Sequence, residues 1–141
     1  QIISDYKTGA AIDIRNWAEQ RISEPQLPIY AALVNDEVAA VVFAKVLLDK
    51  PGFAGIADAR EILPGVQGIG DDKQKIFDPA EFPDWIAVVT HWRERLHAVA
   101  REVKSGQAGV MFSDEKALQY CEVLPLLRLP ERRRLLAGKM A

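Results

Sequence analysis

The chain has 141 residues, of which 49% are hydrophobic and 27% charged, and its formal net charge is −2. This length suits one domain with a single core, and the charge excludes a basic field over the whole molecule, although a local basic groove would suffice for DNA. No apolar run approaches the roughly 20 residues of a membrane span and no signal peptide opens the chain, so we expect no membrane association.

The first part of the chain predicts a strand followed by a helix. Residues 1–7 are typical of a short strand, and residues 10–22 of a loop with one helical turn at most. Ser23 can cap the next helix, which has Pro25 in its first turn and runs to about Val34.

The rest of the chain predicts a hairpin and a long helix. Residues 38–48 are rich in valine and alanine at both odd-numbered and even-numbered positions. Because these positions face opposite sides of a sheet, the pattern indicates a strand buried on both faces. A turn at 49–52 and a second strand at 53–57 complete the hairpin. Residues 84–104 carry apolar side chains at helical spacing, and Ser113 or Asp114 can cap a last short helix. The predicted fold class is α/β.

Asp5-Tyr6-Lys7 is the first candidate for chemistry. Side chains two positions apart in a strand point to the same face, so Asp5 and Lys7 would stand side by side. A carboxylate is a hard oxygen ligand that suits Mg²⁺, and a nearby lysine can orient water or stabilise charge on a phosphate. Taken alone, this common triplet is explained better by an exposed strand than by a catalytic site. In such a strand Asp5 and Lys7 form a same-face ion pair worth under about 1 kcal/mol.

Gln26 and Tyr30 form the second candidate. They are four positions apart on the predicted helix and therefore share one face. The amide and the phenol hydroxyl together can hold a hydrated metal ion or a phosphate. Taken alone, an ordinary helix with a polar edge accounts for them better.

Together the two motifs resemble the RecB-like branch of the PD-(D/E)XK nucleases. In that family the Asp and Lys of a D-x-K motif lie on a core strand, and the Gln and Tyr of a Q-x-x-x-Y motif lie on the following helix. The matching stretches here are Asp5-Tyr6-Lys7-Thr8-Gly9 and Gln26-Leu27-Pro28-Ile29-Tyr30. Residues 41–45 followed by Gly52-Phe53, and the long tryptophan-containing helix, are also similar to the family, and in particular to the nuclease domains of AddB-like proteins, which are inactivated superfamily I helicases.

The resemblance implies a restriction-endonuclease-like core and a DNA exonuclease of repair or recombination that hydrolyses phosphodiester bonds with Mg²⁺ or Mn²⁺. It implies that Asp5 and the Tyr6 carbonyl bind the metal and that Lys7 is the catalytic lysine. Gln26 and Tyr30 would support the metal site or position DNA.

DNA and a helicase–nuclease subunit are the implied partners. Trp17 lies in the segment that links the two motifs, and it is the tryptophan that we expect to stack on DNA.

The sequence departs from the family before its first motif. The family also uses a metal-binding Asp on the preceding strand, often in a Gly-x-x-Asp-Arg pattern, and an upstream His. Only four residues precede Asp5, so we expect residues 1–141 to be the C-terminal part of a truncated nuclease core. One carboxylate is a poor Mg²⁺ site, so we expect little or no nuclease activity from this chain alone. The first strand would also have an unpaired edge, which invites a homodimer through it.

A second departure concerns cysteines near the end of the chain. Some relatives hold an iron–sulfur cluster there, but only Cys121 is a cysteine, and Leu118 and Leu127 stand where the resemblance places two others. A cluster needs about four thiolates, so we expect none. A single cysteine, which cannot form an internal disulfide, fits a reducing cytoplasm.

Two alternatives to a nuclease stay open. The domain could be a non-catalytic DNA-binding or subunit-assembly module that kept the nuclease fold after losing part of its site. A Gly-x-x-Asp-Arg pattern upstream would support the enzyme, and its absence the module. A plain interaction domain unrelated to nucleases would require both motifs to be coincidental.

Overall fold

A computed structural model of the chain describes residues 1–9, 12–34, 37–47, 51–107, 121–122, 124–129 and 131. The chain divides into two compact units, Gln1–Ser105 and Gly106–Ala141. In the described part of the second unit the backbone forms a 3-10 turn at Leu124–Leu127. The helix expected to begin at Ser113 or Asp114 lies outside the described residues.

The first unit contains a mixed sheet with the strand order β1-β2-β3-β4. β1 (Ile2–Lys7) lies at one edge and pairs in parallel with β2 (Ala40–Lys45), which forms the predicted antiparallel hairpin with β3 (Gly52–Ala57). The two-residue β4 (Gln67–Gly68) pairs in parallel with β3. Parallel neighbours need a crossover connection, and that connection contains helix α1 (Gln26–Leu33). The α/β class and the hairpin are confirmed.

The main core lies on the face of the sheet that carries α1 and α2 (Trp85–Lys104). The strands contribute Ile3, Val41, Phe43 and Ile56, and the helices and loops contribute Trp17, Leu27, Ala31, Phe77, Trp85, Val88 and Trp92. The tryptophan rings meet edge to face, with centroids 5.8 Å apart for Trp17 and Trp92 and for Trp85 and Trp92. Among the described residues, no helix has both the length and the apolar character needed to cross a membrane.

A smaller cluster covers the other face of β2. Ala40, Val42 and Ala57 pack there with Val66, which comes from the irregular segment after β3. β2 is therefore buried on both faces, as its pattern predicted. β3 approaches β2 closely at Gly55, where a Cβ atom would lie 2.6 Å from the Cα atom of Val42, so a side chain has no room there.

The helix-start signals in the sequence are right for α2 and wrong for α1. The Asp84 carboxylate accepts a hydrogen bond from the Ala87 amide at 2.8 Å and so caps α2. α1 begins at Gln26 with Pro25 in the cap position, and no side chain caps it. Ser23 therefore lacks the capping role that was predicted, since it lies two residues too early.

Candidate metal and DNA site

Asp5 and Lys7 lie side by side on the helix-covered face of β1. Their register partners in β2 are Phe43 and Lys45, and Phe43 belongs to the main core on this face. Both side chains are half-buried. In the described part of the chain they form no ion pair with each other or with another side chain. The ion pair expected of an ordinary strand is therefore not formed.

An aromatic ring supports the Lys7 ammonium group. The Lys7 Nζ atom lies 5.0 Å from the centre of the Phe43 ring, which is within the range of a cation–π interaction. Phe43 is 2% exposed and packs against Trp17, with ring centroids 5.6 Å apart. The core thus supports the Lys7 ammonium group through the Phe43 ring, and no described residue accepts a hydrogen bond from its N–H groups.

Trp17 is a core residue and is not available as a DNA contact. Its side chain is 0% exposed, and its Nε1 atom donates to the Glu24 carbonyl at 3.2 Å, while Trp92 Nε1 donates to the Trp17 carbonyl at 2.9 Å. A ring with no accessible surface cannot stack on a base, so the expectation that Trp17 stacks on DNA is wrong. Trp17 instead packs against Phe43 in the core. Trp17 lies in the 3-10 turn Arg15–Ala18, which is too short for an amphipathic period to reveal burial.

Gln26 and Tyr30 lie on the exposed side of α1, one turn apart. The adjacent stripe, Leu27 and Ala31, is buried in the core, and α1 packs against β1 and β2. Gln26 is exposed and Tyr30 is 49% exposed. The fold thus brings the two motifs onto elements in contact, but no hydrogen bond among the described residues joins the helix pair to the β1 pair.

The Tyr6 carbonyl group faces the open edge of the sheet. In a parallel ladder, alternate residues of a strand direct their backbone polar groups to the same neighbour. The Lys7 carbonyl accepts from the Val46 amide at 2.9 Å, so the carbonyl of the preceding Tyr6 points away from β2. The Tyr6 side chain, which lies on the sheet face opposite Asp5, is 75% exposed.

The donor types at this edge fit a hard divalent cation. The Asp5 carboxylate and the Tyr6 carbonyl offer oxygen, which Mg²⁺ and Mn²⁺ prefer, and Mg²⁺ sites commonly combine one or two carboxylates with water and substrate phosphate. Within the described ranges, no group of three or more His, Cys, Asp or Glu side chains is placed to hold a metal ion. A metal held here would therefore need further oxygen ligands, such as a phosphate of DNA.

The residues considered for an iron–sulfur cluster belong to the second unit. Cys121 is a free, half-buried thiol, and Leu127 ends the 3-10 turn. Leu118 lies outside the described residues.

Lys45 was not among the candidates named from sequence, although the fold places it beside Lys7. It is the register partner of Lys7 on β2, and it is half-buried. In the described part of the chain it makes no ion pair or hydrogen bond through its side chain. The sequence shows that Lys45 shares a strand face with Phe43, two residues before it. The register that aligns Lys45 with Lys7 cannot be predicted from the sequence of either strand.

Three cavities formed by described residues lie elsewhere. Cavities of 490 and 400 Å³ adjoin Arg60 and Asp71, and one of 640 Å³ is lined from within residues 69–83. None of the three includes a residue of the two motifs. The candidate site is thus distinct from these three cavities and lies along the sheet edge.

The chain matches no protein-family model, no curated protein and no solved structure.

Proposed function

We propose that this chain contributes to a metal-dependent DNA exonuclease domain of the RecB-like PD-(D/E)XK type, which hydrolyses phosphodiester bonds in DNA repair or recombination. The observation that supports this proposal is the placement of Asp5 and Lys7 side by side on the helix-covered face of an edge strand, without an ion-pair or hydrogen-bond partner for either side chain among the described residues. The helix with Gln26 and Tyr30 packs against the same strand.

Asp5 and the Tyr6 carbonyl are the groups that would hold Mg²⁺ or Mn²⁺ in the proposed site. Such an ion neutralises phosphate charge and lowers the pKa of bound water. Lys7 lies on the same face, and its ammonium group would donate to the phosphate oxygens as their charge increases in the transition state. Gln26 and Tyr30 would position the DNA strand or water around the metal through their amide and hydroxyl groups.

The second candidate is a non-catalytic DNA-binding or subunit-assembly module, for example one that docks on a helicase–nuclease subunit. The described residues offer no three-residue metal cluster, and Asp5 alone would bind a cation weakly. In such a module the lysine side chains would still attract phosphates, but Asp5 would have no role in binding. The two candidates therefore differ in the effect of Asp5 when metal is present.

The distinguishing measurement is fluorescence anisotropy of fluorescein-labelled linear DNA, titrated with the chain in EDTA and then in Ca²⁺, which occupies such sites without supporting rapid cleavage. For a nuclease site we expect the metal to tighten binding by up to about tenfold, or ~1.4 kcal/mol, because it bridges Asp5 and a phosphate. Asp5→Asn should remove this gain and leave the affinity in EDTA unchanged. Asp72→Asn, at an exposed loop position, is the matched control.

An equal affinity in EDTA and Ca²⁺, found also when any residues that precede Gln1 are included, would contradict a metal site and favour the non-catalytic module. Absence of DNA binding in both conditions would contradict the nuclease and the DNA-binding module, and would favour a subunit-assembly module or an interaction domain unrelated to nucleases.

We also propose that two copies of the chain pair through β1 when no metal ion or DNA occupies that edge. In the described sheet β1 has a neighbour on one side only, and the side chains of Ile2 and Tyr6 are 46% and 75% exposed. An unpaired strand edge offers amide and carbonyl groups to another strand.

Light scattering over a range of concentrations should therefore show a mass that rises towards that of a dimer. Ser4→Pro should abolish the rise, because the ladder alternation turns the Ser4 amide towards the free edge. Ser4→Ala keeps that amide and is the control. A monomer mass at every concentration would rule the dimer out.

A further inference from the structure

Lys7 and Lys45 are cross-strand neighbours with the same charge. They are register partners in the parallel pair of β1 and β2, and both side chains are half-buried. No carboxylate of a described residue forms an ion pair with either ammonium group. Like charges directly opposite each other destabilise a sheet. The free protein thus carries a repulsion that a bound anion would relieve.

The third position in this row is Gly52 on β3. It is the register partner of Lys45, and no described atom lies within 4 Å of the place where its Cβ atom would stand. We call Lys7, Lys45 and Gly52 the lysine row. Because Gly52 has no side chain, no described side chain of β3 occupies the row beyond Lys45, and an extended anion would lie there.

We propose that the lysine row binds the phosphate backbone of a DNA strand, with Lys45 as a phosphate-binding residue beside Lys7. This inference deepens the proposed nuclease function and rests on it. Neighbouring strands are about 4.8 Å apart, and a lysine ammonium sits on a flexible four-carbon stem, so the two groups can reach one phosphate or two successive ones.

The direction of the row suits the chemistry proposed for Asp5. Asp5 lies two residues before Lys7 on the same face of β1, and its own register partner is Phe43. On this face, the pair Asp5 and Phe43 is next to the pair Lys7 and Lys45. A phosphate backbone held by the two lysines therefore passes beside the position of the Asp5 carboxylate. Lys45 would fix the strand by a phosphate contact that carries no sequence information.

The test is the affinity of the 141-residue chain for a fluorescein-labelled single strand, measured in EDTA at several salt concentrations. Lys45→Gln should weaken binding by roughly 3–10-fold and reduce the slope of log affinity against log salt by about 0.7–0.9, because one phosphate contact is lost. Gly52→Glu should weaken binding at least as much, because it adds a negative charge to the row. Gly52→Ala and Lys104→Gln should bind like the unchanged chain.

A second readout separates phosphate binding from a structural role. Lys45→Gln should raise the urea midpoint of unfolding while it weakens DNA binding, because it removes the repulsion with Lys7. Unchanged affinity and salt slope for both Lys45→Gln and Gly52→Glu would overturn the proposal. This failure is distinguishable from failure of the nuclease proposal, which is judged by the Asp5-dependent gain in Ca²⁺ and does not involve Lys45.

Discussion

Under the proposed nuclease function, DNA hydrolysis is expected to fall by about 10²–10³-fold when Lys7 is replaced by alanine, in a protein that includes any residues preceding Gln1. Lys7 shares the helix-covered face of β1 with Asp5, and its Nζ atom is supported by the Phe43 ring at 5.0 Å. A charged donor held in advance of the reaction stabilises the transition state more than the ground state, so the loss should appear in kcat. The measurement is cleavage of end-labelled linear DNA with Mg²⁺ and then with Mn²⁺.

The matched control for Lys7→Ala is Lys104→Ala, which removes an exposed lysine at the end of α2. This control should cut DNA at the rate of the unchanged protein. If Lys7→Ala also cuts at that rate, Lys7 is not the catalytic lysine. If the protein, with any residues that precede Gln1 included, is folded yet inert with both metals, the non-catalytic module becomes the better account of this chain.

The second large effect concerns Trp17, whose replacement by alanine should lower the free energy of unfolding by about 3–5 kcal/mol. The indole is 0% exposed and contacts the rings of Phe43 and Trp92 at centroid distances of 5.6 and 5.8 Å. The substitution also removes the hydrogen bond from the indole to the Glu24 carbonyl. Because small domains are stable by only about 5–15 kcal/mol, urea unfolding should show a large shift of the midpoint.

Ile86→Ala is the control for this substitution, because Ile86 is 74% exposed on α2 and its removal should change the free energy by less than about 0.5 kcal/mol. The opposite result for Trp17→Ala, normal stability with weakened DNA binding, would return Trp17 to the role first expected from sequence. It would mean that the indole leaves the core to meet DNA.

Local patterns in the sequence predicted the parts of this fold that depend on local physics. A run rich in valine and alanine followed by a turn signal predicted the β2–β3 hairpin. An acidic residue before an apolar stripe located the start of α2 at Asp84. Small and branched apolar residues at both odd-numbered and even-numbered positions predicted that β2 would be buried on both faces.

Features that depend on distant parts of the chain were not predictable in this way. The parallel register of β1 and β2, which aligns Lys45 with Lys7, follows from packing under α1 and α2. The sequences of the two strands do not indicate this register. The burial of Trp17 depends on Trp92, which is 75 residues away. The sequence therefore indicated Asp5 and Lys7 correctly as same-face neighbours but left out Lys45.

The position of the candidate site at a sheet edge has a consequence for how this protein can change over evolutionary time. Asp5 and Lys7 make no ion pair or side-chain hydrogen bond with the described residues, while Val41, Val42 and Phe43 on the next strand carry the packing. Substitutions at the site therefore cost little stability, and substitutions that destroy the fold lie elsewhere. A lineage in which this candidate site is not needed can lose Asp5 or Lys7 by drift and keep a folded domain for other uses.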